Sequence, residues 1–115
     1  MATYDNLPVY KVSYDLLLEL FHVVNNFSRD YRFTIGEQIK KEVLEMIMCV
    51  YRANKNFAGR KDRISEAREK VETIRVLLRL TQDLKQVNFK KFISLNEKIE
   101  SVSKQLVLWE NVSHN

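Results

Sequence analysis

Across 115 residues this chain holds only two glycines, Gly36 and Gly59, and one proline, Pro8. Average usage of about 7% and about 5% would supply roughly fourteen of them together. Folds built from strands need such residues at their many turns, so the scarcity points to long helices with few connections, an all-α fold. The length and a 45% hydrophobic content suit a single domain, residues 1–115, around one core.

Four segments carry helical periodicity. The first starts near Pro8, whose missing N–H suits a first helical turn, and Tyr10, Tyr14, Leu17, Phe21 and Val24 recur on it at bundle-seam spacing. After the polar stretch 25–33, Thr34 and Glu37 read as a capping box for a second helix starting near Ile35. Its stripe is Ile39, Val43, Met46 and Val50, ending around Asn54 before a loop that contains Gly59. The third runs from about Asp62 to Lys85 with a seam at Ile64, Ala67, Val71, Ile74 and Leu78. The fourth follows Asn88, a good N-cap, with Phe92, Leu95, Ile99, Val102, Leu106 and Trp109 on its seam. Short connections make successive helices antiparallel, which predicts an up-down-up-down four-helix bundle.

Three of these helices show a second apolar ridge. Leu16, Leu20, Val23 and Phe27 form one on the first helix, Leu44, Met48 and Tyr51 on the second, and Leu77, Leu80 and Leu84 on the third. Soluble monomers rarely leave such patches wet. The ridges therefore predict a homo-oligomer with these residues at its contacts, the plainer alternative being a broad core stripe with a few exposed leucines.

Charge is uneven along the chain. Between Arg52 and Lys91 lie twelve of the nineteen Lys and Arg residues against five acids, a local excess of seven. Arg68, Arg75 and Arg79 fall within about 40° of one another on the third helix. Arg60, Lys61 and Arg63 extend the charge before them, and Lys85, Lys90 and Lys91 after them. Guanidinium groups in a row suit phosphates or carboxylates, so this surface is predicted to meet a polyanion such as RNA or DNA, or an acidic partner. The plainer reading is a solvated face laced by ion pairs through Glu69 and Glu72.

No catalytic constellation is legible. His22 and His114 lack the spacing partners of a zinc site or a triad, and Glu42 with Glu45 lies on one helix without the histidine-bearing partner of a di-metal site. There is no glycine-rich phosphate loop and no nucleophile elbow. Tyr4, Tyr10, Tyr14, Tyr31 and Tyr51 are candidates for base stacking, although Tyr10 and Tyr14 have packing spacing. The single cysteine, Cys49, excludes an internal disulfide. Neither a signal peptide nor a membrane-spanning run is recognisable. A cytoplasmic, non-enzymatic protein without metal or other cofactor, and with no membrane contact, is expected.

Several stretches resemble a known family: Leu7 to Lys11 with Tyr14 to Leu17, Asn26 to Arg29, Tyr31 to Glu37, and Tyr51 to Asn54. Glu66 to Glu69, Ile74 to Leu80, Asn96 to Lys98 and Ser103 to Leu106 extend the likeness over nearly the whole chain. They are similar to the Avd-type accessory proteins of diversity-generating retroelements, to which proteins of bacterial large-subunit rRNA intervening sequences are related. The resemblance implies a pentameric barrel of four-helix bundles that binds a reverse transcriptase and nucleic acid and has no catalysis of its own. A tail from Trp109 to Asn115 free of Lys and Arg departs from a basic-tailed pattern. The rRNA-type helical protein, or a protein-protein adaptor with no nucleic-acid role, is the alternative.

Overall fold

The structure, a computed structural model, describes residues 6–113. Tyr4, His114 and the opening residues weighed for a signal peptide lie outside them. The described chain forms α1 (Pro8–Val24), α2 (Arg29–Arg32), α3 (Ile35–Lys55), α4 (Arg60–Asp83) and α5 (Phe89–Val112). Helix α2 is a single turn inside the polar stretch 25–33. The other helices start and end within about two residues of the sequence expectation, with Pro8 opening α1 as its first residue.

The long helices close into a ring. Helix α3 packs on α4, α4 on α5, and α1 on both α3 and α5, giving a body of 45 × 22 × 22 Å. Contacts between α3 and α4 pass from Arg60 against Ala53, through Glu66 against Cys49, to Lys70 against Glu45. Residue numbers rise on one helix as they fall on the other.

Inside the ring, the seams expected for α3, α4 and α5 are buried: Ile39, Val43, Met46 and Val50, then Ile64, Ala67, Val71, Ile74 and Leu78, then Leu95, Ile99, Val102 and Leu106. Phe92 and Trp109 lie partly buried at the ends of the last stripe. On α1 the expectation holds in part: Val24 is buried and Tyr10 and Leu17 pack partly against the core, but the centre of the seam is displaced. Leu16, Leu20, Val23 and Phe27, assigned above to an oligomer contact, are 0–7% exposed and form the core, while Tyr14 and Phe21 face outward. The reason is chemical. Both stripes have the same helical spacing, but Tyr14 carries a hydroxyl that keeps access to water when placed outside, whereas Leu16 and Leu20 bury no polar atom. Ser13 lies on the inner side too, and its hydroxyl is satisfied by donating to the Val9 carbonyl at 2.7 Å.

The termini of the helices explain the connections. Asn88 caps α5 as expected, its Oδ1 accepting from the Lys91 N–H at 2.7 Å. Thr34 makes no such cap. The turn of α2 stands directly before it, so its hydroxyl donates back to the Asp30 carbonyl at 2.9 Å, and Glu37 pairs forward with Lys40 at 2.6 Å. Helix α4 ends in a Schellman arrangement, with Lys85 N–H on Gln82 O and Gln86 N–H on Thr81 O, both 2.9 Å. Lys85 occupies the left-handed position at φ 61° that glycine usually takes. Gln86 then accepts from the Ser28 N–H at 2.7 Å and ties the two connections at this end together. Gly36 is needed for close approach: a Cβ there would stand 2.6 Å from Val24 Cγ1 and 3.2 Å from the Tyr31 carbonyl.

The α1 assignment is open to a direct test. Leu20→Ala is expected to lower unfolding stability by about 2–5 kcal/mol, and its neighbour Phe21→Ala by at most about 1 kcal/mol, in urea denaturation. The opposite order would restore the Tyr14–Phe21 stripe to the core.

Candidate nucleic-acid and partner surfaces

A ring of four helices has four lateral grooves, and three of them are bridged by charge. Between α3 and α4, Lys70 Nζ lies 2.7 Å from Glu45 Oε1 and 3.2 Å from Glu42 Oε1. Glu42 is buried, so its carboxylate requires this ammonium and the Gln38 amide that donates to it at 3.1 Å. The hydrogen bond to Glu45 holds the Lys70 ammonium above its ordinary pKa, and the same bond holds the Glu45 carboxyl below the usual range.

Between α4 and α5, Arg75 makes a two-pronged pair with Glu100, Nε and Nη2 each 2.7 Å from a carboxylate oxygen. Ser103 and Glu72 complete its partners. Farther along the groove Arg68 pairs with Glu110. Between α1 and α5, Glu19 accepts from Lys98 Nζ at 2.7 Å and from Ser94 Oγ at 2.9 Å, with Lys91 Nζ at 3.5 Å. Partial burial alone would raise the Glu19 pKa; the hydrogen bonds from Lys98 and Ser94 together outweigh it and leave the carboxyl below its usual range.

The α1/α3 groove differs. Among the described residues no ion pair crosses it. Tyr14, Leu18 and Phe21 on α1 and Leu44 and Met48 on α3 are exposed, and Tyr51 is half-buried. Tyr10 stacks on Tyr14 with ring centroids 6.1 Å apart, and Lys40 of α3 lies 4.5 Å from the Phe21 ring centroid. Leu44, Met48 and Tyr51 of the expected oligomer contact thus remain on the surface or at its edge, joined by Tyr14, Leu18 and Phe21 in place of the α1 residues that entered the core. On α4, Leu80 is exposed beside Val76, while Leu77 and Leu84 pack partly against the interior.

The nine cations expected to form one basic surface are not brought together. Arg68 and Arg75 are held by α5 carboxylates, and Arg79 pairs with Asp83 at 3.4 Å. The ladder is therefore laced by acids, although by Glu72, Glu100, Glu110 and Asp83 and by no bond from Glu69 among the described residues. Arg60, Lys61 and Arg63 stand at the start of α4, and Lys85, Lys90 and Lys91 beyond its other end, roughly 37 Å away at 1.5 Å per residue. Arg60 is a strut: it donates to the carbonyls of Ala53 at 2.7 Å and Asn54 at 3.4 Å and lies over the rings of Phe57 and Trp109. Arg63 pairs with Glu66 at 2.8 Å. Lys61, Lys85 and Lys90 are exposed.

Sequence reasoning passed over Arg52 and Lys55. They end α3 and, with Asn56, Ala58, Gly59 and Arg63, line a recess of about 370 Å³. Their place in the basic stretch was visible, but only the fold sets them against Arg63 of the next helix. Cys49 is buried and free, and desolvation pushes its thiol pKa up, which makes it a poor nucleophile. Among the described residues no group of three or more His, Cys, Asp or Glu could hold a metal ion, and no helix is long and apolar enough to cross a membrane.

A family model described as bAvd-like matches residues 9–113. The chain belongs to the bAvd-like family. No curated protein matches it. The family match runs from the first turn of α1 to the end of α5, so the cross-helix pairs, the apolar groove and the α3–α4 connection of this bAvd-like protein all lie within it.

The α4/α5 pairs predict an acid response. The hydrogen bond from Arg75 holds the Glu100 carboxyl below its usual value, so its folded pKa lies under its unfolded one of about 4.3. Its contribution is complete above the unfolded value and disappears as pH falls through the folded value. Glu100→Gln is expected to be less stable than the parent at pH 7 and to lose less further stability on going from pH 5 to pH 3, read by thermal unfolding at each pH.

Proposed function

We propose that this bAvd-like protein is a non-enzymatic accessory to a retroelement reverse transcriptase, a cytoplasmic homo-oligomer that holds the polymerase and its RNA template or cDNA. The observation that carries the reading is the family match across residues 9–113. In this reading the chain is one domain, an antiparallel up-down-up-down bundle, which the opposed numbering of the α3/α4 and α4/α5 pairs supports.

Assembly into a pentameric barrel is the finer part of the proposal. A ring needs two different patches per subunit, because a head-to-tail contact joins unlike surfaces. The α1/α3 face with Tyr14, Leu18, Phe21, Leu44 and Met48 supplies one, and Val76 with Leu80 on α4 is available as the other. The aromatic and methionine content of the first patch is that of an interface centre.

The acids that hold Arg68, Arg75 and Arg79 favour a second reading, an adaptor between proteins with no nucleic-acid contact. Affinity purification from the native cell, with the captured proteins identified and the bound RNA sequenced, separates the two. Reverse transcriptase with RNA that survives removal of the polymerase supports the first. Polymerase without direct RNA contact supports the adaptor, and capture of neither overturns both.

The oligomer is tested separately by light scattering. A mass several times the 13.7 kDa chain is expected, and Leu18→Glu with Leu44→Glu should shift it to monomer without unfolding, since both side chains are exposed in the single chain. A parent protein already monomeric would remove the assembly from the proposal.

A further inference from the structure

The α3–α4 connection carries features that neither the core nor the lateral grooves use. Arg52 and Lys55 form no ion pair among the described residues, yet they line one recess with Arg63. A second recess of about 240 Å³ lies across Ala58 and Gly59, which both recesses share, and its lining includes Phe57, Arg60 and Lys61. Phe57 is 59% exposed. Its ring is held from one side by the Arg60 guanidinium at 5.1 Å, and that guanidinium is itself anchored to two α3 carbonyls and to the Trp109 ring. An exposed aromatic so close to the bundle end is neither mobile packing nor core. It is a braced platform.

The loop backbone is set as well. Asn56 Oδ1 accepts from the Ala58 N–H at 3.1 Å, and Gly59 takes φ 80°, a conformation that side-chain-bearing residues rarely adopt. Among the described residues Asp62 is the one acid lining either recess, and Glu66 pairs with Arg63 at the edge of the first. A basic hollow beside a fixed aromatic face is the combination that holds single-stranded polynucleotide, in which phosphates meet cations and an unpaired base stacks on the ring.

We propose that residues 52–63 form a single-strand-binding tip, with Arg52 and Lys55 taking a backbone phosphate in one recess, beside the Glu66-paired Arg63, and Phe57 stacking a base across the Ala58–Gly59 ridge. The inference rests on the nucleic-acid reading of the function above and locates it. A duplex fits less well, since its bases are already stacked on one another and leave Phe57 no face to cover. Recognition is indifferent to base identity, because a ring face and a guanidinium read stacking and charge.

Fluorescence anisotropy with labelled oligo-uridine tests it. Arg52→Gln with Lys55→Gln should weaken binding and flatten the dependence of log affinity on log salt by up to about 0.7, the contribution of the one single-strand phosphate held in the recess. Phe57→Ala should weaken oligo-uridine at least about fivefold and leave an abasic sugar–phosphate strand of the same length unaffected. Thermal unfolding of each variant confirms that the bundle is intact. If the parent binds oligo-uridine and these variants bind it equally well with the same salt slope, the tip is not the site, while the nucleic-acid reading stands. If the parent binds no nucleic acid at low salt, that reading falls and the tip proposal with it. Equal binding of polyglutamate, with Phe57→Ala indifferent on every probe, would mark the tip as a dock for an acidic protein and overturn the single-strand assignment.

Discussion

Charge crossing between helices decides which sides of this bundle are finished and which are not. Lys70 pins α4 to α3, Arg68 and Arg75 pin it to α5, and Lys98 with Lys91 joins α5 to α1 through Glu19. Exposed pairs of this kind contribute only about 0.2–1 kcal/mol each, so stability comes from the buried stripes and not from them. Their effect is on register. Sliding α4 by one turn would carry Lys70 away from the buried Glu42 and break the two-pronged Arg75–Glu100 pair, and an unpaired buried charge is costly. The apolar stripes alone, repeating at three- and four-residue spacing, would tolerate such a slip far better.

The same pairs redistribute the basic excess. Most of the arginines in the middle of α4 are neutralised by α5, so the charge left over collects at the ends of the bundle, roughly 37 Å apart. The two ends are not equivalent. At the α4–α5 turn the neighbouring Asp83 and Glu97 share the surface with Lys85 and Lys90, and Lys91 reaches Glu19. At the α3–α4 connection Arg52 and Lys55 keep their charge, Arg60 is immobilised by backbone carbonyls, and a braced aromatic stands beside them.

Helix existence, helix bounds, the α5 seam and the Asn88 cap were legible because each depends on residues within one or two turns of each other. What failed needed information from elsewhere in the fold. Tyr10, Tyr14, Leu17 and Phe21 compete with Leu16, Leu20, Val23 and Phe27 on equal spacing, and the choice is made by what α3 and α5 present. The Tyr14 hydroxyl was the local signal that pointed the right way. The Thr34–Glu37 pattern matched a capping box, but the extra turn of α2 captured the Thr34 hydroxyl first. Arg68 and Arg75 looked available on a wheel because Glu100 and Glu110 are distant in sequence and reach them only once α4 and α5 are in register. For the same reason Arg52 and Lys55 could not be joined to Arg63 beforehand.

Where these surfaces lie bears on whether they can act together. The apolar groove runs along the side of the bundle, between α1 and α3, whereas the basic recess sits at the α3–α4 end. Packing copies side by side would cover Tyr14, Leu18, Phe21, Leu44 and Met48 and draw Lys40 away from water, yet it would leave the ends open. In the proposed ring, with bundle axes aligned, each copy would bring its α3–α4 connection to the same rim. Recesses that hold one phosphate apiece would then be repeated around that rim, and a strand bound at several of them gains affinity from effective concentration without any new contact. A polyanion site on the Arg68–Arg75 ladder would have no such freedom, because it lies on a lateral face and its guanidinium groups would first have to leave Glu100 and Glu110.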